Sequence, residues 1–171
     1  MLTNTQKLTR TGLLTALSCV LISVTSFFPT LDLTITAFSG LITAVVMIHC
    51  GTIYSVSMYA ATSILAFIIL PDKTMAVLYA AFFGYYPILK SWFEKLNTPA
   101  LRWGAKLVLF NAVYYVLWFL LKNIFIMELP QIEGIIFLAQ LVLNGTFVVY
   151  DIGMTRLIFL YINKLSKKLG S

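Results

Sequence analysis

His49, Cys19 and Cys50 are the side chains of this sequence best suited to bind a soft metal or act as nucleophiles. One histidine and two cysteines, 31 positions apart and without a CxxC pair, do not make up the roughly four ligands of a structural zinc site. Both cysteines lie in apolar runs and read as small buried side chains. No GxSxG, HExxH, Walker A or GxGxxG motif occurs, and His49 has no nucleophile and carboxylate at a recognisable spacing. The expectation is a protein that is not an enzyme, holds no metal and needs no cofactor. ATP hydrolysis by the chain itself is excluded on the same ground, so energy for any pumping must come from a gradient or a partner.

The remaining candidates are polar and aromatic residues inside apolar sequence. Gln140 and Asn144 stand four apart, which puts them on one face of a helix. Asn111 is one turn from Tyr114 and Tyr115 and two from Trp118, and Tyr79 belongs to an earlier run. Amides with stacking rings suit a flat, neutral heteroaromatic better than an ion. The predicted substrate-binding set is Tyr79, Asn111, Tyr114, Trp118, Gln140 and Asn144, with the 27–32 connection beside it. A second reading stays open, in which the amides only bond one helix to the next.

The elements that must position these residues follow from composition. Of 171 residues, 60% are hydrophobic and 11% charged, with a mean hydropathy of +0.94. A soluble domain is about one quarter charged, so the composition is that of an integral membrane protein. The net charge of +6 comes from basic residues scattered between apolar runs, which argues against nucleic-acid binding.

Charged residues are absent from 11–31, 33–71, 74–89, 107–121 and 134–150. A helix crosses the hydrocarbon in about 20 residues, so the long second run holds two crossings. Its break falls at His49-Cys50-Gly51-Thr52. The sequence therefore predicts an all-α, six-helix transmembrane bundle forming one domain over 1–171, with helices at about 11–28, 33–49, 52–70, 74–90, 104–121 and 134–162. Pro87 should kink the fourth helix. Segment 90–102, with Trp92, Phe93, Leu96 and Trp103 among charges, reads as amphipathic and surface-lying. The first helix reads as an uncleaved span, because Ser26-Phe27-Phe28-Pro29 offers no small-residue cleavage site.

An even number of crossings puts both termini on one side. If that side is the cytoplasm, ten basic residues (Lys7, Arg10, Lys90, Lys95, Arg102, Lys106, Arg156, Lys164, Lys167, Lys168) lie inside and two (Lys73, Lys122) outside. This is a positive-inside pattern for a multi-pass membrane protein. Asp151 and Arg156 then fall low on the last helix, as an interfacial pair or a partner contact. The 122–133 connection, with Met127, Leu129, Pro130 and Ile132, is long and apolar enough to fold back as a lid.

The first helix carries small residues at 11, 12, 15, 16, 18 and 19, and Gly12 and Ala16 form a small-xxx-small pair extended by Cys19 and Ser23. Such a face packs inside the bundle or docks a second membrane protein. A basic N-terminus, this first helix, a short Pro-containing connection, six helices in about 170 residues and a basic tail together resemble the substrate-binding S component of an energy-coupling factor (ECF) vitamin transporter. The resemblance is architectural and spans the whole chain. It implies high-affinity binding of a vitamin-like micronutrient at the outer ends of the later helices, with the first outer loop as gate. It also implies assembly with a transmembrane coupling subunit and two ABC-type ATPases. The docking face usual in that family is AxxxA; Gly12 and Ala16 occupy the matching positions, with glycine for the first alanine. The binding signatures of riboflavin, thiamine, biotin and folate members are not matched. Two other classes fit the same topology: a scaffold resembling the cell-shape protein MreD, and a self-sufficient small-solute facilitator.

Overall fold

The structure, a computed structural model, describes residues 3–28, 30–71, 73–123 and 133–169, with side chains over 3–28, 30–71, 73–119 and 138–164. Pro29, Asp72 and 124–132, which include most of the expected lid, lie outside the described residues. Among the described residues all regular structure is helical, and four stretches are long and apolar enough to cross a membrane: Asn4–Phe27, Asp32–Cys50, Thr52–Ile69 and Leu138–Lys164. The chain divides into two compact units, 1–97 and 98–171.

The first unit holds α1 (Asn4–Val24), α2 (Asp32–Cys50), α3 (Thr52–Ile69), α4 (Thr74–Leu78) and α5 (Tyr86–Phe93). Helix α1 starts seven residues before the apolar run does. Thr3 and Gln6 form a capping box, each side chain bonding the other's backbone N–H, and that local signal outweighs the charges at Lys7 and Arg10. Apolar length marks where a helix crosses lipid; caps mark where it begins. The break between α2 and α3 falls at Gly51, whose φ of +93° only glycine adopts without strain. Lys73 closes the far end of α3 by donating to the carbonyls of Phe67 and Leu70, the place where a cation meets the negative end of a helix.

Helices α1, α2 and α3 pack through small hydroxyl residues. Thr11, Thr15, Ser18 and Cys19 are buried on α1; Thr36, Ser39, Gly40 and Thr43 on α2; Ser55 and Thr62 on α3. Lipid supplies no hydrophobic drive between helices, so close backbone approach over small side chains holds them together. Four of these hydroxyls donate to the carbonyl one turn back, Thr11, Thr15 and Thr36 at 2.8 Å and Ser55 at 3.0 Å.

The expected single helix over 74–90 is instead broken. After α4 the backbone widens into a π segment, Tyr79–Phe83, and α5 begins at Tyr86. Pro87 sits in the first turn of α5, where its missing N–H costs nothing, so it starts a helix and kinks none. Within the π segment the Gly84 N–H reaches back five residues to the Tyr79 carbonyl at 2.8 Å. That leaves the Ala80 carbonyl without its usual helical partner, and the Tyr59 hydroxyl of α3 donates to it at 2.8 Å. The 90–102 segment is likewise not one amphipathic stretch: it comprises the end of α5, a turn, and the start of the next helix at Pro99. Lys90 is buried and bonds Glu94 one turn on, at 3.0 Å.

The second unit holds α6 (Pro99–Asn123) and α7 (Glu133–Leu169). Both extend beyond their apolar runs, and at the start of α6 the Leu101 N–H donates to Thr98 Oγ1 at 3.4 Å. At about 1.5 Å per residue, α7 with its 37 residues is roughly 55 Å long, well over the hydrocarbon thickness of about 30 Å.

A β-carbon at Gly84 would lie 2.6 Å from the Tyr59 ring and 2.8 Å from the Tyr79 ring. Gly84→Ala is expected to lower the thermal midpoint of the detergent-purified protein, by an overpacking cost of about 1–3 kcal/mol. Gly104→Ala, where a β-carbon meets nothing within 4 Å, should leave it unchanged.

Candidate functional site

Helices α6 and α7 run antiparallel, and their shared seam collects the polar residues of the second unit. On α7 the residues Gln140, Asn144, Phe147 and Asp151 recur at spacings of four, three and four, which keeps them on one face. From α6 they meet Tyr115, Asn111, Phe110 and Lys106 in reverse order. The seam therefore has layers. An ion pair lies at one end, a stacked phenylalanine pair follows, and a lattice of amides with one tyrosine completes it.

The amide lattice is nearly saturated by its own members. Asn111 Nδ2 donates to the Leu107 carbonyl at 2.8 Å and to Asn144 Oδ1 at 2.9 Å. Its Oδ1 accepts from Gln140 Nε2 at 3.1 Å and from Asn144 Nδ2 at 3.3 Å. Asn144 Nδ2 also donates to the Gln140 carbonyl at 2.8 Å, and Gln140 Nε2 to the Tyr115 hydroxyl at 3.0 Å. The Tyr115 O–H in turn donates to Gln140 Oε1 at 3.3 Å, so every donor of the lattice is used within it and only acceptor lone pairs are left over. Tyr115 is exposed, so this donor–acceptor pair can be approached from outside the seam.

Asn111, Gln140 and Asn144 are thus brought together as the sequence suggests. Tyr115 takes the position by the amides. Tyr114 instead packs with Trp118, ring centroids 6.1 Å apart at 34°, and edge-on with Tyr115 at 5.5 Å. Tyr79 belongs to the first unit and sits in a cluster of its own. It is fully buried, its hydroxyl is 3.4 Å from that of Thr43, and its ring packs near Tyr59 with centroids 6.5 Å apart.

Lys106 and Asp151 were not paired by sequence reasoning, which set Asp151 beside Arg156. Arg156 is exposed, whereas Lys106 Nζ lies 2.8 Å from Asp151 Oδ2 with both residues buried. The Lys106 ammonium also stands 5.3 Å from the centre of the Trp103 ring. The stripe of Gln140, Asn144, Phe147 and Asp151 was the available signal, since it shows Asp151 facing the same partner helix as the amides. Between them, Phe110 and Phe147 stack at 4.6 Å and 10°.

On α1, Gly12 and Ala16 are exposed while Thr11, Thr15, Ser18, Cys19 and Ile22 form the buried face. A β-carbon at Gly12 would meet nothing within 4 Å. The extension of this stripe runs differently from the expectation, because Cys19 turns inward. His49 is half-buried at the last turn of α2, and among the described residues no three of His, Cys, Asp and Glu gather.

Neither family models, nor curated proteins, nor solved structures give a match to this chain.

Removing one member of a buried ion pair leaves the other charge uncompensated, at a cost of about 3–5 kcal/mol. Lys106→Met and Asp151→Asn are each expected to lower the thermal midpoint strongly. The double variant should recover much of the loss, and a double-mutant cycle on the purified protein measures the coupling.

Proposed function

We propose that this protein is the substrate-binding S component of an ECF-type transporter, taking up a vitamin-like heteroaromatic micronutrient across a bacterial plasma membrane. In this reading the chain crosses six times with both termini in the cytoplasm, as the ten-to-two bias of basic residues favours. The observation that carries the proposal is the exposed Gly12 and Ala16 pair on α1. Every other small residue of that helix from Thr11 to Cys19 is buried, while these two present a smooth strip fit for a second helix. The partner is the transmembrane coupling subunit, which brings two ABC-type ATPases, since the chain carries no nucleotide-binding motif of its own.

Substrate recognition falls to the second unit. The exposed bond from the Tyr115 O–H to Gln140 Oε1 would open to give a ligand one donor and one acceptor, and Tyr114 with Trp118 supply ring faces. A planar heteroaromatic with an adjacent donor and acceptor matches that set. A second reading is favoured by a specific feature: the mutual saturation of Asn111, Gln140 and Asn144 is what a helix seam needs and leaves little for a ligand. It makes the chain a membrane scaffold similar to the cell-shape protein MreD.

A mild-detergent pull-down of the tagged protein from its host, read by mass spectrometry, separates the two. Recovery of a coupling subunit with two ABC-type ATPases is the expected result, and recovery of cell-wall elongation proteins supports the scaffold instead. Gly12→Leu is expected to abolish both uptake and co-purification of the coupling subunit while substrate binding to the isolated protein persists. Loss of binding with assembly intact would refute that division of roles.

A further inference from the structure

We propose that Ser18 of α1 and Ser39 of α2 bind a water molecule between them, midway along the first two spans. Both residues are completely buried, and neither hydroxyl has a hydrogen-bond partner in the protein. A partner was within reach. Thr11, Thr15, Ser23 and Thr36 on the same two helices each donate to the carbonyl four residues back at 2.8 Å. Ser18 and Ser39 leave that local option unused. An unpaired hydroxyl surrounded by hydrocarbon costs free energy, and a pair of them at one level asks for a common ligand.

That they stand at one level follows from the register of α1 against α2. The two helices run antiparallel through a short connection, and the Cys50 thiol meets the Lys7 carbonyl at 3.9 Å. Ser18 lies eleven residues after Lys7, and Ser39 eleven before Cys50. Eleven residues are about three whole turns, so both serines return to the facing sides that Lys7 and Cys50 occupy. Ser39 is also near the centre of α2 (Asp32–Cys50), far from either end.

Water fits this place better than a cation or an apolar atom. Two neutral hydroxyls carry no charge to offset the desolvation of an ion. A water needs two to four polar partners. The serines provide two, and the carbonyls of Leu14 and Ile35, one turn behind them, each keep a second lone pair. Such a water would tie α1 to α2 at the depth where neither helix can draw on bulk solvent.

The experiment uses the full chain in lipid nanodiscs, with Ser18→Ala, Ser39→Ala and the double variant. A bound water makes each single substitution lower the thermal midpoint by about 2–4 °C. The double variant then loses no more than the larger single, because both serines hold the same molecule. Midpoints that rise or stay level overturn the proposal, since alanine then merely relieves an unpaired hydroxyl. Strictly additive losses overturn it as well. As a measurement independent of stability, a water–protein cross-peak at the backbone amides of residues 18 or 39 is expected by NMR and should vanish in the double variant. Its absence from the parent protein, or a midpoint raised by sodium but not by choline at equal ionic strength, would each count against water as the ligand.

Discussion

Inside a bilayer there is no solvent to complete a hydrogen bond, and this constraint organises both units of the protein. The apolar composition only makes insertion possible; the arrangement inside is set by where polar groups find partners. In the first unit hydroxyls turn back onto their own helices, which lets α1, α2 and α3 approach closely over small residues. In the second, α6 and α7 are joined by side-chain bonds on both sides of a stacked phenylalanine pair.

The π segment shows the same constraint acting on the backbone. Widening the helix at Tyr79–Phe83 frees the Ala80 carbonyl, and the Tyr59 hydroxyl answers it from α3. Tyr59 can come this close because Gly84 has no side chain to obstruct its ring. One glycine, one tyrosine and one irregular turn therefore form a single unit of packing. The cluster around Tyr79 belongs to that arrangement, which explains its full burial and its hydrogen-bonding distance to Thr43.

Layering along α6 and α7 divides specificity from strength. Phe110 and Phe147 contribute stacked area, whereas the Lys106–Asp151 pair and the amides admit only one register, because a shift of one turn would leave a charge and several amides unpaired. At the amide end the lattice closes on itself, its outermost bond being the exposed one from the Tyr115 O–H to Gln140 Oε1.

Much of this organisation was legible in the order of residues. The charge-free runs located α1, α2, α3, α6 and α7 though not the break within 74–90, Gly51 marked the turn between α2 and α3, and the four-residue spacing of Gln140 and Asn144 placed them on one face. These features depend on neighbours along the chain, and local rules suffice for them. Helix ends were less legible, since the Thr3–Gln6 box starts α1 among charged residues. Only the tertiary structure decided that Tyr115 rather than Tyr114 meets the amides, that Asp151 pairs with Lys106, and that Tyr79 stands in a different unit. Those outcomes turn on the rotation and register of one helix against another. Both are fixed by contacts between residues dozens of positions apart, which no local pattern specifies.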